Sequence, residues 1–375
     1  MEPDKPRLRP AAGESRHVEV HVKQSAPALL VMVFVSGFLL LLCAILAVAL
    51  IAVSVAVQRD TEPDREKLFH ERLVFGVPDA RTKVLLIEVD GVITSEADRG
   101  LLGGRMGMVD RIDRELRQAE DDPHIKAVLL QINSPGGGIT ASDIIHHRLV
   151  EHTERTGTPV VALLGDVAAS GGYYVAMAAE HVVAHPTTIT GSIGVIMPLV
   201  SMERLLRLVG IEPRPIKSAD KKDIGAFYRG ITDEERAILE EMVQEMYARF
   251  LSVAERGAAR RQSRELTPER LRDLADGRVF TGESAAENHL VNQTGYFADA
   301  LEAARVKADD PNAKLVRYVA KPRGLFDVLR GPAASKPGEI TLRLDTPDWA
   351  RASEPMYLWS PGTPTLLTSR GAAGE

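Results

Sequence analysis

The sequence predicts a mixed α/β protein built on a largely parallel sheet, and three observations predict it. Apolar strand patterns recur at Val84 to Val89, Ala127 to Ile132 and Val160 to Leu164. Helix-period segments separate them, one from Met108 to Ala119 with Val109, Ile112 and Leu116 on one face, another starting near Ala141. Strand and helix alternating in this order is the pattern of parallel βαβ units, whose buried strands read as continuous apolar runs.

The first strand is followed by a turn at Asp90-Gly91, and the second ends in the glycine-rich turn Asn133-Ser134-Pro135-Gly136-Gly137-Gly138. The third leads into Val167-Ala168-Ala169-Ser170-Gly171-Gly172-Tyr173-Tyr174 and the apolar stretch Val175 to Ala179. Farther on, Thr232 and Glu235 make a capping box. A long helix is expected after it, with Ile238, Leu239, Met242, Val243, Met246, Tyr247, Phe250 and Leu251 at helical spacing. Its methionines read as core or subunit contacts. Beyond about Ala320 the chain carries seven prolines from Pro322 to Pro364 and loses periodicity, apart from a short strand candidate at Ile340 to Leu344.

At 375 residues and 45% hydrophobic content the chain is long enough to bury a sizeable core. A net charge of -6 with no long basic block argues against nucleic acid as a partner. The one cysteine, Cys43, lies in an apolar run, so neither an internal disulfide nor a structural zinc set is expected.

From Ala28 to Val57 thirty residues pass without a charge, more than the ~20 a helix needs to cross a bilayer. That is also far longer than the apolar region of a cleaved signal peptide, although Ser54-Val55-Ala56 would pass as a cleavage site. Five Lys or Arg precede the run within residues 1–24 and four follow within 58–72, so charge bias barely sets the orientation. The expected organisation is a tail over 1–27, a transmembrane helix over 28–57, a stalk over 58–83, a catalytic domain over 84–325 and an extension over 326–375.

Ser170 sits at a strand-to-helix turn, where unpaired N–H groups and the helix dipole favour the negative charge that an acyl-transfer nucleophile and its oxyanion develop. The plain alternative is that Ser170 merely caps the helix. The turn at Gly136 and Gly137 falls at the same carboxyl edge of the sheet and can aim a backbone N–H at an oxyanion beside that of Gly171. It matches neither a P-loop nor a dinucleotide-binding pattern.

A serine nucleophile needs a base, either His or a lysine kept neutral. His181, His185 and His289 follow Ser170, but none lies in a turn motif. The run Lys217-Ser218-Ala219-Asp220-Lys221-Lys222-Asp223-Ile224 offers lysines, though its composition alone reads as a solvated loop.

Together, Ser-Pro-Gly-Gly, Ser-Gly-Gly-Tyr-Tyr, Gly-Ser-Ile-Gly-Val at 191–195 and a Lys-Asp pair resemble, in order and spacing, the signal peptide peptidase A family in its short bacterial form. The resemblance spans about residues 84–325, including Gly277-Arg278-Val279-Phe280-Thr281-Gly282 and Leu290-Val291. It implies a crotonase/Clp-protease-like α/β fold, Ser170 as nucleophile, Lys222 as general base and Ser192 as the serine that orients the lysine. Oxyanion donors are then Gly171 with Gly136 or Gly137, and no metal or organic cofactor is required. The family usually has a glycine shortly before the lysine, where this chain reads Ser218-Ala219-Asp220, so Lys221 stands as a rival base.

The resemblance further implies a homo-oligomeric ring in the cytoplasmic membrane, with its catalytic part outside the cytoplasm, acting on cleaved signal peptides and other apolar peptides beside membrane lipid. Activity should rise with pH, because only the deprotonated amine accepts a proton. A Ser-Lys protease acting on stomatin-like membrane proteins, a crotonase-like acyl-CoA enzyme and a catalytically silent scaffold are the competing readings.

Overall fold

The computed structural model describes residues 34–48, 69–96, 106–320 and 356–358 of the chain. Two compact units divide it at Glu66/Lys67. The described part of the first is helix α1, residues 34–48, with Phe34, Phe38 and Leu41 exposed. The rest of the expected transmembrane span, 28–33 and 49–57, lies outside the described residues. Among those described, no helix is long and apolar enough to cross a membrane.

The second unit holds a nine-stranded mixed sheet. Its strands are β1 (Phe69–Phe75), β2 (Lys83–Asp90), β3 (Ile125–Ser134), β5 (Val160–Ala169), β6 (His181–Ala184), β7 (Ile189–Gly191), β8 (Val279–Thr281), β9 (Gln293–Thr294) and β10 (Lys314–Ala320). Along the main path the order is β1-β10-β2-β3-β5-β6-β9. From β10 to β9 every pairing is parallel; β1 runs antiparallel on β10 at one edge. β7 branches parallel from the end of β5 and pairs antiparallel with β8. A short strand, β4 (Gly136–Gly138), follows β3 and stands outside this sheet.

The interior explains the apolar runs. In β2, Leu85, Ile87 and Val89 face one core and Val84 and Leu86 the other; in β3, Val128, Leu130 and Ile132 oppose Ala127 and Leu129. Alternate side chains point to opposite faces, so a strand covered on both sides has no polar positions to show. The larger core is closed by α2 (Met108–Glu120), α3 (Ile139–Thr156), α4 (Gly171–Ala176) and the last turns of α6 (Asp233–Arg260). On the other face α9 (Phe297–Lys307) packs Ala300, Leu301 and Ala304 against the sheet. α2 buries Ile112 and Leu116 as its periodicity predicts, and α3 ends at Gly157, whose φ of 70° makes a left-handed cap.

The sequence places the start of the domain too late. β1 lies within the stretch read as a stalk over 58–83, and Phe69 is buried against Tyr318. The segment Phe-His-Glu-Arg-Leu-Val-Phe is an edge strand exposed over six of its seven residues, so it lacks a clean apolar alternation, and its partner lies over 240 residues away in sequence. The remaining helices are α5 (Glu203–Leu208), α7 (Pro268–Leu274) and α8 (Gly282–Glu287). The strand candidate at 340–344 lies outside the described residues.

Candidate active site

β5 delivers its chain to the carboxyl edge of the sheet and stops at Ala169. Ser170 then turns the backbone with φ 53° and ψ -113°, a conformation L-residues rarely adopt, and α4 begins at Gly171. Two hydrogen bonds lock this corner: Ser170 N–H donates to the Gly191 carbonyl at 2.8 Å, and Tyr174 N–H donates to the Ser170 carbonyl at 2.8 Å. The Ser170 side chain makes no capping bond to α4, so the helix-cap explanation of this serine does not describe the site. A strained serine at a strand-to-helix corner is the geometry that presents a hydroxyl beside free helix N–H groups.

The glycines are required by close approach. A Cβ on Gly171 would stand 2.6 Å from Ser142 Oγ, 3.1 Å from Gly136 Cα and 3.2 Å from Gly137 N, which puts β4 directly against the start of α4. A Cβ on Gly137 would meet the Ile93 carbonyl oxygen at 2.1 Å. Of the two predicted donors in β4, Gly136 gives its N–H to Ser134 Oγ at 3.1 Å. The Gly138 N–H goes to the Ile93 carbonyl at 2.9 Å, and Ser142 Oγ donates to the Gly138 carbonyl at 3.0 Å. The N–H groups of Gly137 and Gly171 take no part in these bonds, and Tyr357 of a short antiparallel strand, Met356–Leu358, stands opposite Gly137.

Ser192 follows Gly191, the residue whose carbonyl holds Ser170. It has φ 50°, is nearly buried, and donates its N–H to the Arg278 carbonyl at 2.8 Å. The motifs at 191–195 and 277–282 are thus one support: β8 pairs with β7, and the Phe280 ring lies over Gly191.

Lys222 stands on an exposed 3-10 turn, Asp220–Asp223, and its amine has no hydrogen bond or ion pair among the described residues. Among the described residues no hydrogen bond or ion pair joins it to Ser170 or Ser192, whereas Ser170 is bonded to Gly191, next to Ser192, and Gly171 packs on Gly136 and Gly137. Its rival Lys221 is engaged: its amine pairs with Glu234 at 2.6 Å, and this bond raises its pKa above the usual lysine value. Asp223 is held by Arg229 and Lys217, and Arg229 also grips Glu235 at 2.6 Å. The Arg229 guanidinium holds the Asp223 carboxyl well below its ordinary range and pulls Glu235 down to about 2. Glu235 is meanwhile the capping-box residue of α6, bonded to Thr232 N–H at 3.0 Å, so the lysine turn is tied to a helix start. Among the described residues no histidine is hydrogen-bonded to Ser170; His185 bonds Thr187 Oγ1 at 2.8 Å.

Several residues of the site escape a reading by motif. Ser134 and Ser142 shape β4, and Ile93 braces it. The tyrosines after Ser170 are anchors: Tyr173 donates its hydroxyl to the Leu290 carbonyl at 2.9 Å, and Tyr174 bonds Asp143 and packs on Phe250 at 5.0 Å between ring centres. A serine two residues before a glycine turn is a recognisable signal for Ser134; Arg229 offers none.

A strained serine where a strand of an α/β sheet enters a helix, packed against a second glycine turn, is the site of a serine peptidase. A family profile, peptidase family S49, matches residues 152–309. A protein described as a protease in Synechocystis sp. is 36% identical over 252 residues, 67% of this chain and 84% of its own length. One described as signal peptide peptidase SppA in Enterococcus faecium is 31% identical over 236 residues, 63% of this chain and 67% of its own. The chain belongs to peptidase family S49, among the signal peptide peptidase A type enzymes. Among solved structures a ClpP1 mutant from Listeria monocytogenes covers 58% of this chain and 94% of its own at 17% identity, with a TM-score of 0.37, a likeness too low to bear on function.

Proposed function

We propose that the protein is a membrane-anchored serine endopeptidase, in which Ser170 and Lys222 act as a dyad on cleaved signal peptides and other apolar peptides at the cytoplasmic membrane. The observation that carries the reading is the corner at Ser170, strained, cap-free and followed by Gly171, which packs against Gly136 and Gly137.

In this mechanism the Ser170 hydroxyl attacks the scissile carbonyl carbon while its proton passes to the neutral Lys222 amine. The carbonyl π electrons move to oxygen, and the Gly171 and Gly137 N–H groups receive the oxyanion. Collapse breaks the C–N bond, and the Lys222 ammonium returns the proton to the departing amine. Water then repeats the sequence on the acyl-serine, with Lys222 again as base. Ser192 orients the lysine from its place beside the Ser170 turn.

Sequence and surface support the remaining parts. The uncharged span over 28–57 is the proposed anchor, holding the catalytic unit at the bilayer where apolar peptides reside, and its place outside the cytoplasm follows from the resemblance to signal peptide peptidase A. Ile196, Leu199, Val200, Leu205, Leu208 and Ile216 are exposed, an apolar surface suited to assembly with further copies into a ring. Assembly along it removes water from around the neighbouring Lys222 turn.

The substrate class is tested by cataloguing membrane-associated peptides in cells that carry the chain with Ser170→Ala. The reading predicts accumulation of apolar fragments ending at signal-peptide cleavage sites. Accumulation of intact membrane proteins alone would contradict it.

A further inference from the structure

α4 has only six residues, a length at which a helix does not hold itself, yet it keeps Ser170 at φ 53°. Such strain persists only where the surroundings over-determine it. Two tyrosine hydroxyls supply the restraint. Tyr173 donates to the Leu290 carbonyl, to which Arg261, at the C-terminal end of α6, also donates. Tyr174 is fully buried; its N–H closes the first helical bond on the Ser170 carbonyl at 2.8 Å, and its hydroxyl donates to Asp143 on α3. Of the two acceptors, only Asp143 is a side chain. It also accepts from Arg249 of α6, at 2.9 Å from Nη2 and 3.2 Å from Nε. Burial opposes its charge, but the Tyr174 and Arg249 bonds prevail and keep its carboxyl below the usual range, so it stands as an ionised acceptor at neutral pH. Three helices thus meet at Asp143: α3, which leaves the glycine turn at 136–138, α4, which Ser170 opens, and α6.

We propose that Asp143 is a positioning residue for hydrolysis at Ser170: by fixing the Tyr174 hydroxyl it holds the first turn of α4, and with it the strained serine, against the glycine turn. The proposal rests on the reading of Ser170 as the nucleophile. The effect of Asp143 passes through Tyr174, whose ring is already confined between His146 of α3 and Phe250 of α6, at 5.4 and 5.0 Å between ring centres. Those contacts set the depth of the ring, and the hydroxyl bond sets its direction. Asp143 follows Ser142, whose Oγ holds the Gly138 carbonyl and packs against Gly171, so the same stretch of α3 braces both turns of the site. A shift of about an ångström in the helical turn that carries Ser170 is enough to slow the reaction without weakening substrate binding to the same degree.

The test is a double-mutant cycle in the full chain: Asp143→Leu, Tyr174→Phe and the two together, beside Asp143→Asn, which keeps an acceptor for the hydroxyl. The Asp143 side chain is 35% exposed, so leucine has room there. Tm is measured for each protein, together with kcat and KM on an apolar fluorogenic peptide well below Tm, counting only the hydrolysis that Ser170→Ala abolishes. Expected is a loss of about tenfold in kcat with KM little changed for Asp143→Leu and for Tyr174→Phe, no further loss in the double variant, and recovery to within about threefold of the parent in Asp143→Asn. A lowered Tm with unchanged kcat would make Asp143 a structural anchor and overturn the positioning role. Losses in kcat that multiply in the double variant would overturn the route through Tyr174, and Asp143→Asn as slow as Asp143→Leu would overturn the acceptor as its cause. Hydrolysis that survives Ser170→Ala, beside a non-additive Tm cycle, would uphold the contact and overturn the catalytic reading, and with it the role.

Discussion

The backbone N–H of Ser170 and the carbonyl of Gly191 meet at 2.8 Å, so one hydrogen bond couples the candidate nucleophile's turn to the turn that carries Ser192. Gly191 has φ 81°, and a Cβ there would stand 2.6 Å from the Phe280 ring. Gly191→Ala is expected to displace the turn and lower hydrolysis by at least about tenfold, since misplacement of about an ångström is enough to do so. Adding Phe280→Ala relieves the clash but not the backbone strain, so kinetics of the double variant should recover only in part.

The approach of α4 to β4 makes a sharper case. Gly171→Ala drives a methyl group into Ser142 Oγ and the backbone of Gly136 and Gly137. The expected loss is about 10² or more in kcat, the scale of removing one oxyanion donor. Pairing it with Ser142→Gly frees only the side-chain contact and leaves Gly136 Cα at 3.1 Å, so kcat should stay low while Tm partly returns.

Arg229 touches no part of the Ser170 corner, yet it binds both Asp223, next to Lys222, and Glu235 at the start of α6. It is a positioning residue for the lysine turn. Arg229→Ala should lower kcat by about tenfold with KM little changed, because the turn loses its tie to the helix. Arg229→Lys keeps the charge without the bidentate fork and should fall between. Equal kcat in all three proteins would remove Arg229 from the account.

His146 supplies a stability prediction. It lies buried on α3 against Tyr174, facing Asp143, Arg249, Arg256 and Arg260, and burial pushes its imidazole down to about 3. Its folded pKa is below its unfolded value, so the unfolded chain binds the proton first as pH falls. The stability is complete above about 6.5 and is lost from there toward 3, at up to about 1.4 kcal/mol per pH unit. Tm measured from pH 7 to 5 should fall, and His146→Gln should flatten the fall.

Much of this fold is legible in the chain itself, for a physical reason. Strands β2, β3 and β5 are covered on both faces, so Leu85, Leu129 and Leu163 stand in apolar runs that leave little room for another reading. The glycine turns are visible because a side chain at Gly137, Gly171 or Gly172 would strike its neighbours. Illegible features depend on distant partners. β1 is a strand because β10 lies beside it, and the choice of Gly137 over Gly136 depends on Ser134 Oγ and Ile93. Lys221 is set apart from Lys222 by its bond to Glu234, thirteen residues beyond it.

The most direct test of the central claim is hydrolysis of an apolar fluorogenic peptide by the full chain beside its Ser170→Ala, Lys222→Ala and Lys221→Ala variants. The dyad predicts that the first two lose activity by on the order of 10³ or more while Lys221→Ala stays near the parent rate. Activity surviving Ser170→Ala, or lost with Lys221→Ala and kept with Lys222→Ala, would contradict it.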